Sequence, residues 1–386
     1  MMSSDTDARL TRTGSALAKE NIHIYICTKT ADIRWLTGFS RIFDDEQAHF
    51  LVIVSELAAP AGPQRLLHTD TRYSGAMRQQ MDGVLDKLDD ERKPHRQFLV
   101  ECVEGLGLTR QQSADDKIRI AIEADLPLSS YRAITSTLDQ LEGCHYELVE
   151  KIAFIESLRA VKDASEIATM RAAQAITDAG FAHMLEFLRP GLSETEVAIE
   201  LEFFMRHKGA EGLAFPVIAA SGPNSAIPHA VPGERILQKG DFMLMDFGAR
   251  VDGYCSDMTR TVVLGKADEK QKLIYQTVLQ AQTETIQMVK PGTSLQVPQE
   301  HVNDIFAAAG FDQLPHGLGH GVGIDIHELP VLSVGAAGQL VAGNVVTVEP
   351  GIYTEGFGGV RIEDYGVVTD NGFDNFTASP KELLEL

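Results

Sequence analysis

The chain is poor in cysteine and in positive charge, and it has no long apolar run. Cys27, Cys102, Cys144 and Cys255 are its only cysteines in 386 residues, and no two show a C-x-x-C spacing. That scatter argues against a disulfide framework or a zinc knuckle and fits a reducing cytoplasm. No stretch approaches the roughly 18 consecutive apolar residues of a membrane span. The opening MMSSDTDARLTRTGSALAKE is polar and acidic, without the apolar centre of a secretory signal. Basic residues number 34 against 55 acidic ones, a formal net charge of −21. Such a surface repels nucleic acid and anionic membrane, so neither is expected as a partner, and its plain use is solubility.

What is present suffices for two domains. The length is large for one, and at 44% hydrophobic the chain can bury ample core. Residues 1–155 read as an α/β unit, with strands at 22–26, 49–54, 65–69 and 118–124 and helices near 71–82 and 128–141. The DDERKP stretch near residue 91 reads as a solvated loop. A boundary falls at 150–160, before a long amphipathic helix, and residues 156–386 form the second unit. Ser193 followed by Glu196 is a capping box. LRPGLSETEV (188–197) and VKPGTSLQVP (289–298) echo each other: each ends a helix with a basic residue, Pro and Gly, then restarts at Ser. That fits a duplicated half.

The strongest signal is a set of acids. Asp252-Gly253 is a two-residue hairpin turn between FMLMDFGARV and YCSDMTRTVVL. Pairing Val251 with Tyr254 sets Gly248 opposite Asp257, and Asp246 shares the face of Gly248. The two carboxylates become diagonal neighbours, roughly 7–8 Å apart at Cα. A second hairpin spans Val345 to Val368 about Gly356, Gly358 and Gly359. Glu349 and Glu363 are symmetric about Gly356 and can face each other, with a bulge expected at Pro350-Gly351. Taken singly, each acid reads as a solvated strand end. Converging in a half-buried sheet with His320 of PHGLGHGVG, four carboxylates would repel unless cations neutralised them, which points to a metalloenzyme.

MDFGARVDGYCSDMTRT, HGLGHGVGIDIHELP and VVTVEPGIYTEGFGGVRIED resemble blocks of the pita-bread metallopeptidases, the group of Xaa-Pro aminopeptidases, prolidases, methionine aminopeptidases and creatinase. TADIRWLTGFS (30–40), HTDTRYS (68–74) and AIEADLPLS (121–129) resemble the N-terminal domain of the creatinase and Xaa-Pro enzymes. The resemblance implies a creatinase-type α/β domain followed by an α+β pita-bread catalytic domain with internal pseudo-two-fold symmetry. It implies that Asp246 and Asp257 hold one divalent metal and His320 and Glu349 another, with Asp257 and Glu363 bridging. Oxygen-rich ligands suit manganese first, with cobalt or zinc possible. A hydroxide shared by the metals is the implied nucleophile and Glu349 its proton acceptor.

By the same resemblance, His229 and His327 bind the substrate carbonyl and its oxyanion, and His316 joins them as an outer histidine. Arg361 orients a metal carboxylate. Tyr353 either donates a hydrogen bond near the site or packs in its strand. The implied activity is hydrolysis of Xaa-Pro peptide bonds, on a small peptide with proline second, by a cytoplasmic homodimer. Methionine aminopeptidases lack the extra domain, and creatinase has lost most of the ligands kept here. Several prolidases carry an arginine soon after the HE-x-P block to clamp a dipeptide carboxylate. Val331 follows Pro330 here, which leaves dipeptides and longer peptides both open. Two other classes stay open as well: a C–N hydrolase of a small compatible solute or cyclic amidine on this scaffold, and a pseudoenzyme serving as a binding module.

Overall fold

A computed structural model of the chain describes residues 2–39, 41–44, 46, 48–80, 83–110 and 117–386. Ser40, which ends the TADIRWLTGFS block, and the last two positions of the helix expected over 71–82 lie outside the described residues. The chain divides into compact units, Met1–Leu158 and Arg159–Leu386. The division falls inside the helix Phe154–Arg159, against a boundary expected after residue 155. No helix among the described residues is long and apolar enough to cross a membrane.

The first unit is built on a six-stranded sheet in the order Lys87–Asp89, Gln64–His68, Phe50–Val54, Ile24–Cys27, Ile118–Glu123, Tyr146–Lys151. Phe50–Val54 pairs antiparallel with both neighbours, and the remaining pairs are parallel. Ile24–Cys27 and Phe50–Val54 are buried on both faces, which matches their continuous apolar runs. The polar opening segment, unassigned from sequence, forms the helix Met2–Lys19. In the loop around residue 91, Glu91, Arg92 and Pro94 are exposed, and Lys93 is the exception. The Lys93 side chain is 7% exposed and sits among Asp89, Glu91 and Glu101, because three carboxylates offset the cost of burying an ammonium.

The second unit shows the echo as geometry. In its first half, helices Ala164–Phe187 and Glu194–His207 precede the hairpin of strands Phe242–Phe247 and Met258–Val263. In its second, Glu269–Met288 and Val297–Ala308 precede the hairpin of Val345–Val348 and Asp364–Thr369. Gly191 N–H donates to Leu237 O and Gly292 N–H to Leu340 O, while Ser193 bridges Ile236 as Ser294 bridges Gln339. Both glycines have positive φ, 100° and 86°, which the tight Pro-Gly turn between the helices requires. Asp163, Ser193 and Asp268 each open a helix with a reciprocal capping box, so the start points were written locally. Two apolar clusters, one per half, back the hairpins: Phe181, Leu201, Met245 and Phe247 in the first, and Ile274, Val278, Phe306 and Val346 in the second.

Candidate metal centre

The Asp252-Gly253 turn sets the first register. Val251 pairs with Tyr254 and Asp246 with Thr259, so Asp257 falls opposite Gly248 in a gap between two short ladders. Gly248 is required there, since a Cβ would lie 1.9 Å from Ser256 O. In the second hairpin, Val348 pairs with Asp364 and Gly351 with Arg361, which keeps Glu349 and Glu363 in opposite positions. The bulge expected at Pro350-Gly351 is absent and no residue is inserted. Instead the ladder opens there: Glu349 N–H turns to Leu318 O and Glu363 N–H to Thr259 O, so the strands change partners at the two acids.

The openings bring the acids together. Ligand atoms of Asp257, His320 and Glu363 lie within 4.8 Å of one another. His320 Nε2 is 3.5 Å from Asp257 and 3.3 Å from Glu349. His320 sits on the short strand Gly319–Gly321, whose first glycine packs against Thr347 O, where a Cβ would be 2.2 Å away. Its Nδ1–H donates to Gly321 O (3.1 Å), which leaves the Nε2 lone pair aimed at the carboxylates. Burial, with His327 nearby, pushes the His320 pKa down to about 4, so the ring is neutral.

The acids feel the opposite pressure. Burial raises Asp257 and Glu363 well above the ordinary carboxylate range, and the neighbouring carboxylates add to it. Burial likewise pushes Glu349 up to about 8, against the pull of Arg361. Among the described residues Arg361 is the one guanidinium lining the cluster, and every arm is committed. Nη2 donates to Asp246 (2.5 Å), Nη1 to Tyr353 Oη (3.0 Å) and Pro228 O (3.2 Å), and Nε to Thr259 Oγ1 (3.0 Å). Tyr353 in turn donates to His316 Nε2 (2.9 Å), whose Nδ1–H goes to Gly317 O. Burial takes His316 down to about 4, which keeps it an acceptor for that phenol. Of the two readings of Tyr353, the hydrogen-bonding one describes its position.

His229 and His327 are exposed on the rim of a cavity of about 480 Å³ that also contains the five acid and imidazole groups. The His327 ring stands edge-on to His320 at 4.3 Å between centroids. Phe215, Pro216, Pro228, Pro232, Ile326 and Val331 supply apolar wall. All ten residues singled out from sequence therefore meet in or beside one cavity. Two that sequence reasoning missed are Thr259, which donates to Glu363 (2.6 Å), and Thr347, which donates to Glu349 (3.2 Å) and accepts from His320 N–H. Each stands two residues from an acid of the cluster, Asp257 or Glu349, on the same strand face, so the period of two was a signal that could have found them.

Three buried carboxylates and a fourth, Glu349, that is partly buried face one fully committed guanidinium, and Asp246 Oδ1 is buried without a hydrogen-bond partner. A neutral imidazole nitrogen and oxygens of this kind form a donor set suited to divalent cations, and the raised pKa values express the positive charge the protein itself does not provide. Such a centre, carried on paired hairpins of two similar halves, defines a metal-dependent hydrolase of the pita-bread fold.

The chain belongs to metallopeptidase family M24. Residues 168–370 match that family, and residues 9–161 match the creatinase/prolidase N-terminal domain. It is similar to the uncharacterized peptidase YqhT of Bacillus subtilis, with 37% identity over 94% of this chain and 95% of that protein. Among solved structures it resembles the Xaa-Pro dipeptidase of Bacillus anthracis, with TM-score 0.87 and 35% identity over 99% of this chain and 100% of that one. It also resembles the X-Pro aminopeptidase of Thermotoga maritima, with TM-score 0.82 and 29% identity over 97% and 100% of the two chains.

Proposed function

We propose that this chain hydrolyses the bond between an amino-terminal residue and a following proline, as a manganese-dependent cytoplasmic homodimer. The observation that carries the reading is the cavity itself, in which the acid and imidazole cluster faces a wall of Phe215, Pro216, Ile326 and Val331 suited to a proline ring. Asp246 and Asp257 would hold one cation and His320 and Glu349 the other, with Asp257 and Glu363 shared; together the cations would acidify a coordinated water and polarise the scissile carbonyl.

The protein groups then have separate tasks. Glu349, whose pKa burial raises, accepts the proton of the attacking water and returns it to the departing proline nitrogen, which has no hydrogen of its own. His229 and His327 on the rim donate to the oxygen that gains negative charge. Arg361 holds Asp246 in place and, through Thr259, Glu363, so the carboxylates keep their orientation during turnover.

Chain length of the substrate follows from charge. A free Xaa-Pro dipeptide brings a carboxylate next to the proline ring. Among the described residues no lysine lines the cavity, and its single arginine is already committed on all arms. An Xaa-Pro-Yaa peptide replaces that carboxylate with a neutral amide and carries no such cost. The expected result is faster cleavage of a tripeptide than of the matching dipeptide by the manganese-loaded protein, abolished by chelator. A faster dipeptide would reject the length assignment, and turnover of neither would reject the peptidase reading.

A further inference from the structure

In each half, the first turn of the helix that follows the Pro-Gly-x-Ser segment places a buried polar side chain whose use is not capping. An acid in the first turn of a helix ordinarily faces solvent and favours the helix dipole. Glu194, the first residue of its helix, is 1% exposed and reaches away from that helix. It accepts from Ser221 N–H (2.7 Å), Ser221 Oγ (2.8 Å), Asn224 Nδ2 (3.1 Å to each oxygen) and Gly233 N–H (3.2 Å). Those donors are the two ends of the loop that carries His229. The next residue repeats the grip, with Thr195 N–H and Oγ1 both donating to Gly233 O.

The second half does the same with an amide. Gln299, in the first turn of Val297–Ala308, is 5% exposed. It donates to His316 O (2.8 Å) and accepts from Val334 N–H (3.0 Å), the two ends of the segment that carries His320 and His327. Asn303, one turn on, accepts from Leu314 N–H and extends the hold. One helix start per half thus closes the base of one histidine-bearing loop, and both loops line the same cavity.

We propose that Glu194 and Gln299 are paired positioning residues, each holding the substrate-side histidines of its own half at a fixed distance from the acid cluster. The assignment of work to His229 and His327 rests on the peptidase reading; the mechanical claim does not. Glu194→Gln would present one acceptor oxygen and an N–H₂ to a nest of donors, so the loop ends would part while the acids of the cluster stay where they are.

The test has two arms on the full-length protein. Hydrogen exchange is compared in wild type, Glu194→Gln and Gln299→Leu. Glu194→Gln is expected to speed exchange over 221–233 and spare 314–334, and Gln299→Leu to do the reverse. Loosening of both loops in both variants, or of neither, overturns the proposal even if wild type cleaves no Xaa-Pro peptide, an outcome that sinks only the peptidase reading. In the kinetic arm, Glu194→Gln with metal content unchanged is expected to lower kcat/KM roughly 10²-fold. In a His229→Ala background the same change is expected to cost almost nothing further, because the histidine it serves is gone. Additive losses in the double variant overturn the positioning role. If Glu194→Gln does not fold, Asn224→Ala removes one donor from the same nest and is expected to act in the same direction with a smaller size.

Discussion

Glu363 and Asp364 are consecutive, and both side chains are almost wholly buried, yet their titrations are displaced in opposite directions. Asp364 accepts from Arg260, Lys381, Gln282 and Asn375, and the two cations hold its carboxyl below the usual range despite burial. Glu328 is the same kind of acid, lowered by Lys162 and Arg159. Glu363 has one hydroxyl, from Thr259, and three other carboxylates nearby, so its pKa rises. Alternation along a strand separates the two faces. A buried acid supplied with protein cations is part of the framework, and one left short of them is a place for a cation from outside.

Substitution of either acid should break that comparison in different currencies. Asp257→Ala or Glu363→Ala is expected to abolish metal binding and turnover together; full activity in either variant would defeat the assignment. Their apoproteins should be no less stable than wild-type apoprotein, because each change removes an acid that burial disfavours. Asp364→Ala should instead keep the metal and cost about 3–5 kcal/mol of stability, since it leaves Arg260 buried without its carboxylate. Denaturant melts beside metal analysis of the set separate the two kinds of acid.

A smaller effect follows from the rim. His327→Ala should retain metal and lose roughly 10²–10³-fold in kcat, the size expected for an oxyanion partner. Metal removal sharpens the comparison through pH. Asp257, Glu349 and Glu363 have folded pKa values above their unfolded values of about 4. Their contribution to apoprotein stability is present below that value and lost as pH rises through the folded values, about 8 for Glu349. Asp364 and Glu328, with lowered values, contribute above about pH 4 and lose that contribution in acid. The gain in Tm on adding manganese should therefore be larger at pH 8 than at pH 5. Tyr353→Phe, which removes one hydroxyl between Arg361 and His316, should cost least, on the order of 1 kcal/mol or roughly fivefold in turnover.

Much of the centre was legible from local rules. Asp252-Gly253 demands a tight turn, and a tight turn sets every pairing back to Asp246 and Thr259. Symmetry about Gly356 did the same for Glu349 and Glu363. The opening of the ladder at Pro350 was foreseen as a disturbance but not in kind. Strands that exchange partners leave no mark on their own residues, because the new partners, Leu318 O and Thr259 O, are remote in the chain. Glu194 and Gln299 were hidden for a related reason. Their spacing satisfies a helix start, and only the fold shows that their side chains leave it.

Turn chemistry, caps and the two-residue period of strands thus determined which side chains share a face, because each depends on backbone conformation within a few residues. Which way each buried acid's titration is displaced was decided by tertiary structure alone. Glu363 and Asp364 have nearly the same chemistry and adjacent places, and the difference between them is made by Arg260 and Lys381 on one side and three carboxylates on the other. Burial multiplies the strength of whatever charge stands nearby, and only packing chooses that neighbour.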